Sequence, residues 1–162
     1  MSIIRAFGFD PGTPEWDFMN DGLLSPERER APADYFRFSI VRNPWDRFVS
    51  GWRYLPSTRD RALRDVLGDL PREGHDFRHL TRPQHLVLVG NDGRIAVDYL
   101  MRFETLQGDF DQVCEIVGKP RATLPHENRG ERLHYSAYFD ANTRRMFLRQ
   151  FALDVELFEY VY

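Results

Sequence analysis

Between Phe38 and Leu55 the chain reads FSIVRNPWDRFVSGWRYL. An apolar run of β-formers passes through Arg-Asn-Pro into a segment that mixes arginines with aromatics. The run YFRFSIV, from Tyr35 to Val41, predicts a buried strand. Asn43 can cap a helix and Pro44 can fill its first turn, so a helix is predicted from there to about Tyr54. A strand that turns directly into a helix sets the helix start at the carboxyl edge of a sheet, where open α/β sheets bind ligands. Such a start offers unpaired N–H groups and a positive dipole end, both attractive to anions. Two roles stay open for Arg42 at this turn: a fork onto a phosphate, or a salt bridge that caps the helix. Ser50 follows eight residues later, so reaching the same anion calls for a bent path or a loop within the segment.

The rest of the chain alternates in a similar way. A second helix is predicted over 60–70, closed by Pro71. HLVLV, GNDG and RIAVDYLMRFE, covering 85–104, read as strand, tight turn and strand. From Thr105 to Val117 the apolar residues Leu106, Phe110, Val113, Cys114 and Val117 fall on one helical face, with Gly118 to stop the helix and Pro120 after it. LPHENRGERLHYSAYF reads as a loop, and Asp140 then caps a helix carrying Met146, Phe147 and Phe151. Glu104 is expected to anchor the strand-to-helix junction. Residues 1–34 read as irregular, broken by Pro11-Gly12, Pro14 and SPERERAPAD. The pattern predicts a single domain over 1–162, an α/β layered fold with a mostly parallel sheet flanked by helices and one local antiparallel pair.

Composition narrows the function classes. A length of 162 residues allows a sizeable core, and a net charge of −3 argues against a general nucleic-acid binder. The single Cys114 excludes an internal disulfide or a cysteine zinc cluster and points to a reducing compartment. No apolar run approaches the roughly 20 residues of a membrane span, and the first residues lack a secretory pattern, so a cytoplasmic protein is expected. His75 and His79 could share a helical face with His85 nearby, but no carboxylate or cysteine completes a metal site, and none is expected. Of 22 basic residues all but Lys119 are arginine, so any role that needs a lysine has one candidate.

Four ordered segments carry a likeness. FSIVRNPWDRFVSGW resembles the 3′-phosphate-binding motif of sulfotransferases that use 3′-phosphoadenosine 5′-phosphosulfate, in their carbohydrate branch. VDYLMRFETLQGDFDQVCEIVG resembles the strand, Arg-Phe-Glu and helix of that branch. LPHENRG resembles its Leu-Pro-His-x-Asn loop, and DVELFEYVY its closing segment. The likeness covers residues 35–162. It implies a fold related to the P-loop kinases and transfer of a sulfuryl group to a hydroxyl of a saccharide or similar acceptor, without a metal. Carried over, it assigns the donor's 3′-phosphate to Arg42 and Ser50, and closure over the nucleotide to Asn128, Arg129 and Arg132. Arg47, on another helical face, is expected to be structural and to pair with a carboxylate. His126 is the histidine expected nearest the donor or acceptor.

The departures from the family are as specific. The lysine-bearing Pro-Lys-Thr-Gly-type loop that holds the 5′-phosphosulfate has no counterpart in residues 1–34, so the fold is expected to be N-terminally shortened. The sheet would then expose an edge, which invites self-association. No residue is assigned as the catalytic base; Glu15, Asp17 and Asp21 are the nearest carboxylates. The chain is expected either to be a weak sulfotransferase or to be a non-catalytic relative that binds a nucleotide or other anion.

Overall fold

The computed structural model describes residues 36–71, 80–90, 92–124 and 133–162. It is a mixed α/β fold with a small parallel sheet and flanking helices. The chain divides into two compact units, one from 1–40 with 87–130 and one from 41–86 with 131–162.

The first unit holds the sheet. Strand β1 (Phe38–Val41), whose last residue passes into the second unit, pairs with β2 (Tyr99–Arg102). Asp98 and Tyr99 donate their N–H groups to the Arg37 carbonyl, while the Asp98 carboxylate accepts the Arg37 N–H at 2.7 Å and pairs with its guanidinium. These contacts set the register at the strand starts. A helix later called α4 (Leu106–Ile116) packs on β2, burying Phe110, Val113 and Cys114 with Met101 and Leu124. Gly118 ends it with φ +68°, and the Lys119 N–H reaches back to the Cys114 carbonyl, the closure predicted from Gly118.

Two predicted strands are not formed as read. HLVLV is a short helix, α3 (His85–Leu88), and only Val89 bridges to Ile95 across the Gly90–Arg94 turn. The cause lies far along the chain: the Asp154 carboxylate accepts the N–H groups of both Gln84 and His85, satisfying donors that a helix start leaves open. RIAVDYLMRFE contributes only Tyr99–Arg102 before a 3₁₀ turn at Phe103–Thr105. There Asp109 accepts the Arg102 N–H at 2.7 Å and the Thr105 hydroxyl at 3.0 Å. Asp109 holds the junction; Glu104 lies exposed within the turn.

The second unit is helical. Helix α1 (Pro44–Tyr54) starts and ends as predicted, whereas α2 (Leu63–Gly68) is shorter than 60–70. Residues 60–62 are not helical; they close and follow the turn at 56–60, in which the buried Thr58 hydroxyl donates to the carbonyls of Trp52 and Leu55. Helix α5 (Ala141–Leu157) runs into the closing DVEL and buries Thr143, Phe147, Phe151 and Asp154 as one stripe. Against it α1 lays Trp45, Phe48, Val49 and Trp52; the Trp45 and Phe48 rings meet those of Phe139, Phe147 and Phe151 in stacked and edge-on pairs, and Trp52 meets Tyr138 edge-on.

Asp140 caps α5 through a reciprocal box with Thr143: its carboxylate accepts the N–H groups of Asn142 and Thr143, and its own N–H donates to the Thr143 hydroxyl. The Thr143 backbone bond, then its hydroxyl, hold the Asp140 pKa below the usual carboxylate value. A lowered folded pKa means a contribution complete above the unfolded value near 3.9 and lost as pH falls through the folded one. Asp140→Ala should therefore lower Tm by a few degrees at neutral pH, and Asp140→Asn, itself a good cap, by less. The Tm gap between wild type and Asp140→Ala should close as pH falls from about 5 to about 2. A gap independent of pH in thermal melts would contradict this cap.

Candidate functional site

The site is built where β1 stops. Val41 is fully buried, and the chain leaves it as the extended pair Arg42-Asn43 before entering α1. The Asn43 side-chain oxygen accepts the N–H groups of Trp45 and Asp46, and its carbonyl accepts that of Arg47. Pro44 has no N–H to offer. The donors expected to draw an anion to this helix start are thus taken internally, and Asp46 adds a negative charge to the first turn. This corrects the sequence expectation: anion attraction here must come from side chains, not from the backbone amides.

Arg42 takes the salt-bridge geometry. Its Nε and Nη2 both donate to Asp46 Oδ2, at 2.8 and 2.6 Å, in a partly buried i, i+4 pair. Ser50 stands four residues beyond Asp46 on the same face, about 6 Å along the axis. Arg42, Asp46 and half-buried Ser50 therefore form one stripe. The helix between them is continuous, so the bent path considered from sequence is not taken.

The main chain of Arg42 is gripped separately. The Gln84 side-chain amide accepts the Arg42 N–H at 3.0 Å and donates to the Arg42 carbonyl at 2.9 Å. Gln84 is fixed in turn by Asp154, which is wholly buried. One Asp154 oxygen accepts the Gln84 N–H at 2.6 Å; the other meets the His85 N–H at 2.9 Å and His85 Nδ1 at 2.6 Å. Arg47 feels the same group: burial lowers its pKa from the usual arginine value, the Asp154 charge opposes that shift, and Arg42 adds to it. Asp154 is thus a carboxylate whose charge reaches Arg47.

Gln84 and Asp154 were not singled out from the sequence, and His85 was considered only as a metal ligand. A readable signal existed for Asp154: it is an acid on the buried stripe of α5, and a buried charge requires partners. The loop-closing residues Asn128, Arg129 and Arg132 lie outside the described residues, as do His75, His79, His126, Glu15, Asp17 and Asp21. The first 3₁₀ turn after that loop, Tyr135–Ala137, is tied to the site: Asn43 Nδ2 donates to the Tyr135 hydroxyl at 3.4 Å. Among the described residues no group of three His, Cys, Asp or Glu side chains is placed to hold a metal, and no helix is long and apolar enough to cross a membrane.

Comparison with known proteins adds one finding. The family model described as the sulfotransferase family matches residues 15–161. No curated protein and no solved structure matches the chain.

Proposed function

The chain belongs to the sulfotransferase family, and on that footing we propose that it moves a sulfuryl group from 3′-phosphoadenosine 5′-phosphosulfate to a hydroxyl of a carbohydrate-type acceptor. In such a transfer the acceptor oxygen bonds to sulfur while the bond from sulfur to the bridging phosphate oxygen breaks. The hydroxyl proton leaves to a base, and 3′-phosphoadenosine 5′-phosphate departs. The observation that carries the reading is the Arg42 stripe. An arginine held at the strand-to-helix turn suits the 3′-phosphate that distinguishes this donor from an ordinary adenosine nucleotide, whereas Ser50, eight residues on in a continuous helix, is carried by the family likeness. Asn128, Arg129 and Arg132 are proposed to close over the nucleotide; Tyr135, three residues after Arg132 in sequence, meets Asn43.

One observation favours a second reading, a non-catalytic member that binds a nucleotide or another anion. The only lysine, Lys119, is exposed just beyond α4, where its N–H closes the helix end. It is not in a phosphate-binding loop. Within this sequence, the groups left to meet charge on a departing phosphate are arginines.

The donor assignment is tested by melting the protein with 3′-phosphoadenosine 5′-phosphate and with adenosine 5′-phosphate. At a hundredfold excess over Kd, a ligand of the native state adds about 2.7 kcal/mol, or roughly 5–10 °C in Tm for a chain of this size. The first nucleotide should give that shift and the second a clearly smaller one. Equal shifts, or none, reject the 3′-phosphate site. Incubation with radiolabelled donor and a panel of saccharides separates the two readings: turnover supports the enzyme, and binding without turnover supports the non-catalytic member.

A further inference from the structure

We infer that Gln84 is the positioning residue of the Arg42 anion site and that Asp154 locks it in place; the inference rests on the reading of Arg42 as the 3′-phosphate ligand. Arg42 stands just past Val41, the last residue of the strand, at the place where a ladder would continue. The Gln84 amide takes that place, pairing with the Arg42 N–H and carbonyl as a strand neighbour would. Asp46 orients the guanidinium, and Gln84 sets the origin from which that side chain extends.

The clamp reaches deep into the unit. Gln84 is 8% exposed, and its own N–H ends on the fully buried Asp154, which also takes both His85 contacts. Asp154 belongs to the long helix α5, whose Phe147 and Phe151 are packed in the aromatic core. Arg42 is thus referenced to the core-packed helix α5 through a two-step relay, Asp154 to Gln84 to Arg42. A forked phosphate contact tolerates an error of only about 0.5 Å or 10–20°. An arginine on an unsupported turn would not meet that tolerance.

The test measures, on the full chain, the Kd values of 3′-phosphoadenosine 5′-phosphate and adenosine 5′-phosphate by calorimetry, with Tm recorded for every variant. Gln84→Met keeps size and neutrality but removes both bonds to Arg42. It should weaken the 3′-phosphorylated nucleotide by at least about tenfold while moving the other by less than about threefold. In an Arg42→Ala background the same change should have almost no further effect on the ratio, because Gln84 acts through Arg42. A merely structural clasp would instead weaken both nucleotides alike and add to the Arg42→Ala loss. Gln84→Asn, whose amide is one methylene too short to make both bonds, is measured if Gln84→Met does not fold, with the same expectations. If Arg42→Ala itself leaves the ratio unchanged, the reading of Arg42 fails. If Arg42→Ala lowers the ratio and the Gln84 variants do not, the relay is rejected and the Arg42 site stands.

Discussion

Phe147→Ala should remove about 3–5 kcal/mol of stability, the range for deleting a buried phenyl ring. Phe147 is fully buried in the second unit, with its ring stacked on Trp45 at 4.0 Å and on Phe151 at 4.6 Å. The rings of Phe48 and Phe139 meet it edge-on at 5.6 and 5.5 Å. Aromatic pairs of this kind are worth about 0.5–1.5 kcal/mol beyond the area they bury, so the cost falls toward the upper end of that range. Set against a typical stability of about 5–15 kcal/mol, the substitution removes a large fraction of the margin. In denaturant melts the midpoint should fall sharply at little change in slope. Leu148→Ala is the control: its side chain is 38% exposed, about 100° round the same helix, and the change should stay within about 1 kcal/mol. Similar costs at both positions would mean that this stripe of α5 does not face the core. The consequence reaches the site, because Trp45 and Phe48 seat α1, the helix that carries Asp46 and Ser50.

What the sequence discloses divides by range. The strand, the Asn43 cap, Pro44 and the run of α1 are legible because their causes are neighbours of one another. The same holds for Gly118 behind α4 and for Asp140 ahead of α5, where a cap or a stop residue sits within one turn of what it governs. The short helix at His85–Leu88 was not legible. Its residues favour a strand, and the group that makes it a helix, Asp154, lies 69 residues away from His85. Arg42 shows both ranges at once. Its pair with Asp46 is a local i, i+4 contact that the spacing alone suggests, whereas its clamp by Gln84 spans 42 residues and two side-chain hydrogen bonds. The expected anion-seeking helix start failed for a local reason: the residue that makes Asn43 a good cap also consumes the amides that an anion would need.

Because those amides are taken, the proposed 3′-phosphate site would depend on the side chain of Arg42, and substitutions there should have a large effect on binding. Arg42→Ala should raise the Kd of 3′-phosphoadenosine 5′-phosphate by about a hundredfold or more, the loss expected when a charge-assisted fork disappears from a partly desolvated site. Arg42→Lys should recover little of this. An ammonium keeps the charge but is a point donor, so it cannot hold Asp46 along one edge and present a second edge to a phosphate as a planar guanidinium does. A Kd at least about tenfold weaker than that of the wild type is expected for the lysine variant. The Arg42–Asp46 pair is only partly buried, with 21% and 23% of the side chains exposed, so its own share of stability is about 1 kcal/mol. Both variants should therefore melt close to the wild type while differing from it strongly in affinity. Adenosine 5′-phosphate serves as the internal standard, since its binding should change little in either variant. A lysine variant that binds the 3′-phosphorylated nucleotide as tightly as the wild type would show that the guanidinium fork is not the contact, and would move the 3′-phosphate to another arginine of the chain.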